Sequence, residues 1–149
     1  MQRGQTSIEF IFLILIIIVY IVTVTLPLSK DTQNSLSDVE NLSRANNETQ
    51  KLVNSINNLS LLGEGSKETI TLFLPQNTTV YCGDNNISFE VKLKQLPYPA
   101  QCPLGVCAKK FATPENTAIG CNINSLLGPA KLTLIIEKTN SQISITRGS

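Results

Sequence analysis

Between Arg3 and Lys30 the sequence holds no basic residue, and from Phe10 to Leu26 it offers only Phe, Ile, Leu, Val, one Tyr and two Thr. No other feature narrows the possible folds as far. A helix with no polar face must be covered all round, by lipid or by other helices. At about 1.5 Å per residue, Ile8–Leu28 extends roughly 30 Å, the thickness of a bilayer's hydrocarbon core. The only positive groups on the near side, Arg3 and the starting amine, predict an N-in orientation with the bulk of the chain outside. Pro27 brings no N–H to the carbonyl of Thr23, which predicts a kink or loosened turn there. Thr23 and Thr25 are placed to bond back to helix carbonyls.

Glu9 stands at the mouth of this segment. A carboxylate at the centre of a bilayer helix costs about 2.5–3.5 kcal/mol, and less near an end. One reading makes Glu9 an acid at the start of the helix, favoured by the dipole, with Thr6 or Ser7 as N-cap. The other makes it one half of a charge pair formed when helices pack. If the chain is cut before Gln5, the new α-amine is the other half, in the same chain or a neighbour. Because the apolar side chains are already out of water in lipid, packing and polar pairing would have to drive such association.

Arg3-Gly4 followed by Gln5-x-Ser7-x-Glu9-x-x-x-Leu13 resembles the class III signal sequence of archaeal type IV pilin-like proteins. The resemblance is confined to this short N-terminal motif. It implies that a prepilin peptidase cuts between Gly4 and Gln5 on the cytoplasmic side, and that the apolar helix stays attached as the core of a filament. Glu9 then becomes the fifth residue of the mature chain, the position of the pilin assembly glutamate. The implied partners are other copies of the chain in a helical filament, the peptidase, the assembly machinery, and the membrane before assembly. The mature chain would start with Gln, where bacterial type IV pilins have Phe. An N-terminal glutamine can cyclise and lose its charge, which would weaken a pairing with Glu9. The expected role is a structural subunit of a pilus for adhesion or cell contact, membrane-inserted as a precursor and extracellular as a filament. The alternatives are a minor pilin or pseudopilin, an archaellum subunit, and a non-polymerising, signal-anchored extracellular binding module. An ordinary secretory precursor fits worst, because no small-x-small site follows the apolar run.

Beyond Pro27 the chain becomes polar but keeps a helical period. Val39, Leu42, Asn46, Thr49, Val53 and Ile56 form one stripe, with Leu36 at its edge, and Ala45, Leu52 and Leu59 form a second strip rotated from it. One strip is expected to cover a C-terminal sheet and the other to meet neighbouring subunits, with Gly63-Glu64-Gly65 as a C-terminal cap. Charged residues are only 15% of the 149, against roughly 25% in typical soluble domains. A net charge of +1 leaves no electrostatic footprint for nucleic acid. N-x-[ST] sequons at Asn41, Asn47, Asn58, Asn77 and Asn86 make N-linked glycans an alternative source of surface solvation.

Short β-forming runs follow: Thr69–Leu74, Thr78–Cys82, Ile87–Leu96, Leu132–Glu137 and Ile143–Thr146, separated by turn-forming residues. In the third, Ile87, Phe89, Val91 and Leu93 alternate with Ser88, Glu90, Lys92 and Lys94. Pro97–Pro129 shows no clear period and is long for a loop, which marks it as functional or stapled. The expected fold is therefore α+β: a long N-terminal hydrophobic helix bearing a small C-terminal antiparallel β-sheet domain, the lollipop layout of a pilin. The divisions are a leader at 1–4, a transmembrane or filament-core helix at 5–28, an amphipathic continuation at 29–65 and a β domain at 66–149. Cys82, Cys102, Cys107 and Cys121 allow three disulfide pairings, of which Cys102–Cys107 with Cys82–Cys121 is favoured. A zinc site is the rival, but Cys102-x4-Cys107 is a single knuckle and the other spacings do not repeat it. With no histidine, and with Glu64, Glu68, Asp84, Glu90, Glu115 and Glu137 in no pairing motif, neither catalysis nor a cofactor or metal is expected.

Overall fold

The computed structural model describes residues 5–83, 86–94, 102–114, 118–121, 125–140 and 142–148. The leader ending at Gly4, Asp84, Glu115, and the Gln95–Leu96 end of one expected strand lie outside them. The chain divides into two compact units, Met1–Ser37 and Asp38–Ser149.

The first unit is helical wherever it is described. Helix α1 (Gln5–Tyr20) runs into a π-helical turn (Ile21–Thr25) and then into helix α2 (Leu26–Leu61), which continues into the second unit. Every residue from Ile8 to Leu36 is exposed. Such a surface of Ile, Leu, Val and Phe is compatible with membrane insertion. Thr6 and Ser7 are helical, so neither can be the N-cap considered for them. The loosening expected at Pro27 takes the form of the π turn just before it, where bonding shifts from i−4 to i−5. Thr23 Oγ1 donates back to the carbonyls of Val19, at 2.8 Å, and Tyr20, at 3.2 Å.

The second unit is the small β domain, giving the α+β class. Its strands are β1 (Lys67–Leu74), β2 (Thr78–Gly83), β3 (Asn86–Lys92), β4 (Val106–Ala112), β5 (Ala118–Cys121), β6 (Ser125–Leu127), β7 (Ala130–Thr139) and β8 (Gln142–Arg147). They form two four-stranded sheets, ordered β1-β7-β8-β5 and β4-β3-β2-β6. The pairing is antiparallel except between β5 and β8, which run parallel. The antiparallel β domain expected from the sequence is present, built as two sheets that include one parallel pair. The stretch expected as an aperiodic loop, Pro97–Pro129, contributes three strands.

The helix is also simpler in its burial than its two strips imply. Thr49, Val53 and Ile56 of the first strip and Ala45, Leu52 and Leu59 of the second are all buried, while Leu36 and Val39 are exposed. One broad apolar face therefore packs into the domain, and no second strip is left over from Ala45 to Leu59 to meet a neighbour. The core joins this face to Leu72, Leu134 and Ile136 of one sheet and to Ile87, Phe89 and Val91 of the other. Phe89 and Phe111 stack at 6.1 Å between ring centroids. Full burial of each large apolar side chain contributes about 1.5–3 kcal/mol, which makes this shared core the main support of the domain.

Polar groups fix where the helix lies. Lys51 Nζ donates to the Thr71 carbonyl at 2.8 Å, and Glu48 accepts the Phe73 N–H at 3.2 Å, so α2 satisfies outward-facing backbone groups of the edge strand β1. Lys109 on the other sheet's edge strand, β4, donates to Asn46 Oδ1 at 2.9 Å. The helix ends at Leu61, and Gly65, at φ 80°, takes the left-handed position in the following turn. Lys138 of β7 supplies the rest of the cap, its Nζ donating to the carbonyls of Ser60 (2.7 Å) and Leu62 (2.6 Å).

Candidate functional site

The chemistry-bearing residues fall in separate places. Gly4 lies outside the described residues, and Gln5 is the first described position of α1. Glu9 follows on the same helix and is exposed. Positions 5 and 9 are an i, i+4 pair, one above the other on a helix face. On the helix surface Glu9 lies between the polar positions Gln5 and Thr6 on one side and the exposed apolar residues Phe12 and Leu13 on the other, at the boundary where the apolar run begins.

The cysteines lie in the β domain. Cys102 and Cys107 are joined by a disulfide that closes a five-residue separation. Between them is a tight turn, with Leu104 at φ 56° and Gly105 at φ 75°. The Gly105 N–H donates to the Cys102 carbonyl at 3.2 Å, and the Leu93 N–H donates to the Gly105 carbonyl at 2.7 Å. The turn holds Leu104 out with 94% of its surface exposed. Cys82 on β2 and Cys121 on β5 are half-buried thiols, brought together from different sheets. A hydrogen bond from Cys121 holds the Cys82 thiol below its ordinary value, against the opposing push of burial.

The sequons differ in their accessibility. Asn47, Asn58 and Asn77 are exposed; Asn41 and Asn86 are half-buried. Asn77 occupies a turn at φ 56°, a conformation that Asn tolerates better than most residues. The third residue of each sequon also matters, because the acceptor pattern needs its hydroxyl. Ser43, which completes the Asn41 sequon, is exposed. Thr49, which completes the Asn47 sequon, is 1% exposed and donates to the Ala45 carbonyl at 2.8 Å. Ser60, which completes the Asn58 sequon, donates to the Asn57 carbonyl at 2.6 Å.

Two grooves flank α2. A polar one of about 380 Å³ is lined by Asn47, Gln50, Asn54 and Asn58 on the helix with Glu68 and Ile70 on β1. A more apolar one of about 440 Å³ lies among Val39, Leu42, Phe89 and the Cys102–Cys107 turn. Asp38, Lys51 and Lys138, which tie the helix to the sheets, escaped the sequence reading because each sits in a polar stretch without a motif. The 3.6-residue period of α2 could have pointed to Asp38, which lies one turn before Leu42 and two before Ala45. Comparison of the chain with protein-family models, with curated proteins and with solved structures found no match.

Proposed function

We propose that this chain is a structural subunit of an archaeal type IV-like pilus, made as a membrane-inserted precursor and polymerised through its N-terminal helix into an extracellular filament for adhesion or cell contact. The observation that carries the proposal is Glu9, a carboxylate kept on an apolar helix that is exposed at every position from Ile8 to Leu36. A simple anchor gains from that charge only the small favourable interaction with the helix dipole, and loses insertion energy to it. A helix that must pack against copies of itself gains axial register, because a polar pair in lipid specifies one alignment.

Cleavage between Gly4 and Gln5 supplies the complementary charge at the new α-amine wherever Gln5 stays uncyclised. The remaining features fit the same use. The exposed sequon asparagines offer positions for N-linked glycans, which would solvate a surface poor in charge. Of the five, Asn77, exposed in a turn, is best placed for modification of the folded domain. Asn47 depends on a buried Thr49 hydroxyl and would have to be modified before α2 packs.

Intact-mass and N-terminal analysis of the native protein in filaments tests the proposal. Gln5, or its cyclised form, is expected at the N-terminus; Met1 retained in assembled material overturns the processing step. Glu9→Ala should insert into membranes yet fail to assemble. If that variant assembles as well as the parent, Glu9 has no register role. If the unaltered chain reaches the surface as an anchored monomer and never enters a filament, the signal-anchored binding module replaces the pilin.

A further inference from the structure

We propose that Cys82 and Cys121 close a second disulfide that clamps the two sheets together, formed by exchange with an external disulfide. The proposal rests on the β domain alone and does not depend on filament assembly.

Cys82 is near the end of β2, which lies between β3 and β6 in one sheet; Cys121 ends β5, at the edge of the other. Both pack against the common core. The two side chains are in hydrogen-bond contact across the sheets, so their sulfurs already face each other. β5 is only four residues long, and its one partner in the sheet is β8, in parallel register. A covalent tie at Cys121 would hold the shortest strand of its sheet. The Cys102–Cys107 bond, by contrast, closes a five-residue separation and joins no two sheets.

The thiolate is the nucleophile in such an exchange. One of the two thiols releases its proton to solvent, and its sulfur attacks one sulfur of the external disulfide. That S–S bond breaks, and the departing thiolate takes up a proton. The other thiol then loses its proton, and its sulfur attacks the mixed disulfide at the protein sulfur, expelling the second external thiolate, which is protonated in turn. The protein dithiol gives up two electrons and two protons, and the external disulfide is reduced to two thiols.

The test uses the full chain in detergent micelles, reduced and then exposed to glutathione disulfide. Samples are quenched with N-ethylmaleimide and read by intact mass and non-reducing peptide maps. The unaltered chain should end without maleimide adducts and with a Cys82–Cys121 cross-linked peptide. Cys121→Ser should accumulate glutathione on Cys82, and Cys82→Ser should accumulate it on Cys121, because each has lost the thiol that would expel it. Persistent alkylation of Cys82 and Cys121 after the Cys102–Cys107 bond has closed overturns the cross-link. So does a map that joins Cys82 to Cys102 or Cys107. If either variant fails to fold, the map of the unaltered chain still decides the linkage.

Discussion

The Asp38 carboxylate accepts the backbone N–H of Lys94 at 2.8 Å, joining residues 56 positions apart. Asp38 is only 7% exposed although it lies on a mostly polar stretch of α2. The bond fastens the chain leaving β3 to the helix, beside the apolar groove that reaches the Cys102–Cys107 turn.

Replacing this aspartate should therefore be costly. Hydrogen bonds to charged groups contribute about 1.5–3 kcal/mol. Asp38→Ala is expected to lose an amount in that range, and Asp38→Asn, which keeps an acceptor, less. Urea unfolding of the full chain in micelles, followed by near-UV circular dichroism, measures both. Equal stability of Asp38→Ala and the parent would show that the bond contributes nothing net.

Lys138→Met should free the last carbonyls of α2. It keeps most of the aliphatic stem and removes the ammonium that reaches Ser60 and Leu62. The expected loss is about 1–2 kcal/mol. Hydrogen exchange should quicken in the final turn of α2 and remain unchanged around Ala45. Uniform quickening along the helix would point to a packing role instead.

These polar ties explain how much the sequence revealed. The alternation of Ile87, Phe89 and Val91 identified β3, and these three side chains are buried as the alternation requires. The equivalent signal in β4 was masked by Lys109. Its register opposite Phe89 places it on the same face as Cys107 and Phe111, where a period-two reading wants an apolar residue. The chain satisfies that position by laying the lysine over the Phe111 ring, 4.9 Å from Nζ to centroid, while its charge reaches Asn46. β5 and β6 each bury a single side chain, Ile119 and Leu126, and one apolar residue has no period. The two helix strips were real, but apolar spacing alone does not say whether two strips face one surface or two. The pairing of Cys82 with Cys121, one of three that the sequence allowed and the one it favoured, depends in space on how β2 of one sheet packs against β5 of the other, which local sequence does not carry.

The covered edge of β1 gives a third prediction. Open strand edges template association with other chains, and natural folds guard them with charge or a covering element. Glu48 and Lys51 do both here. The double variant Glu48→Ala, Lys51→Ala should keep its secondary structure but self-associate with rising concentration, as read by light scattering. Unchanged scattering would mean that the helix backbone alone suffices as cover.

At Gly128 there is no room for a side chain. Its N–H donates to the Thr78 carbonyl at 2.9 Å, and a β-carbon there would run into the carbonyl oxygen of Pro75, a backbone atom that cannot swing aside. Gly128→Ala is expected to destabilise the domain by about 1–3 kcal/mol. Gly63→Ala, where a β-carbon meets nothing, is the matched control in the same unfolding measurement.

The π turn at Ile21–Thr25 acts as a phase step. It takes in one residue more than an α-helical turn, an angular offset of roughly 100°. A seam of contacts traced along Gln5–Tyr20 by counting threes and fours therefore reappears past Leu26 on positions displaced by one. The azimuth at which the first stretch meets its surroundings can thus be set independently of the azimuth presented by the next, and a one-residue insertion or deletion between Tyr20 and Leu26 would re-index every face on one side of it.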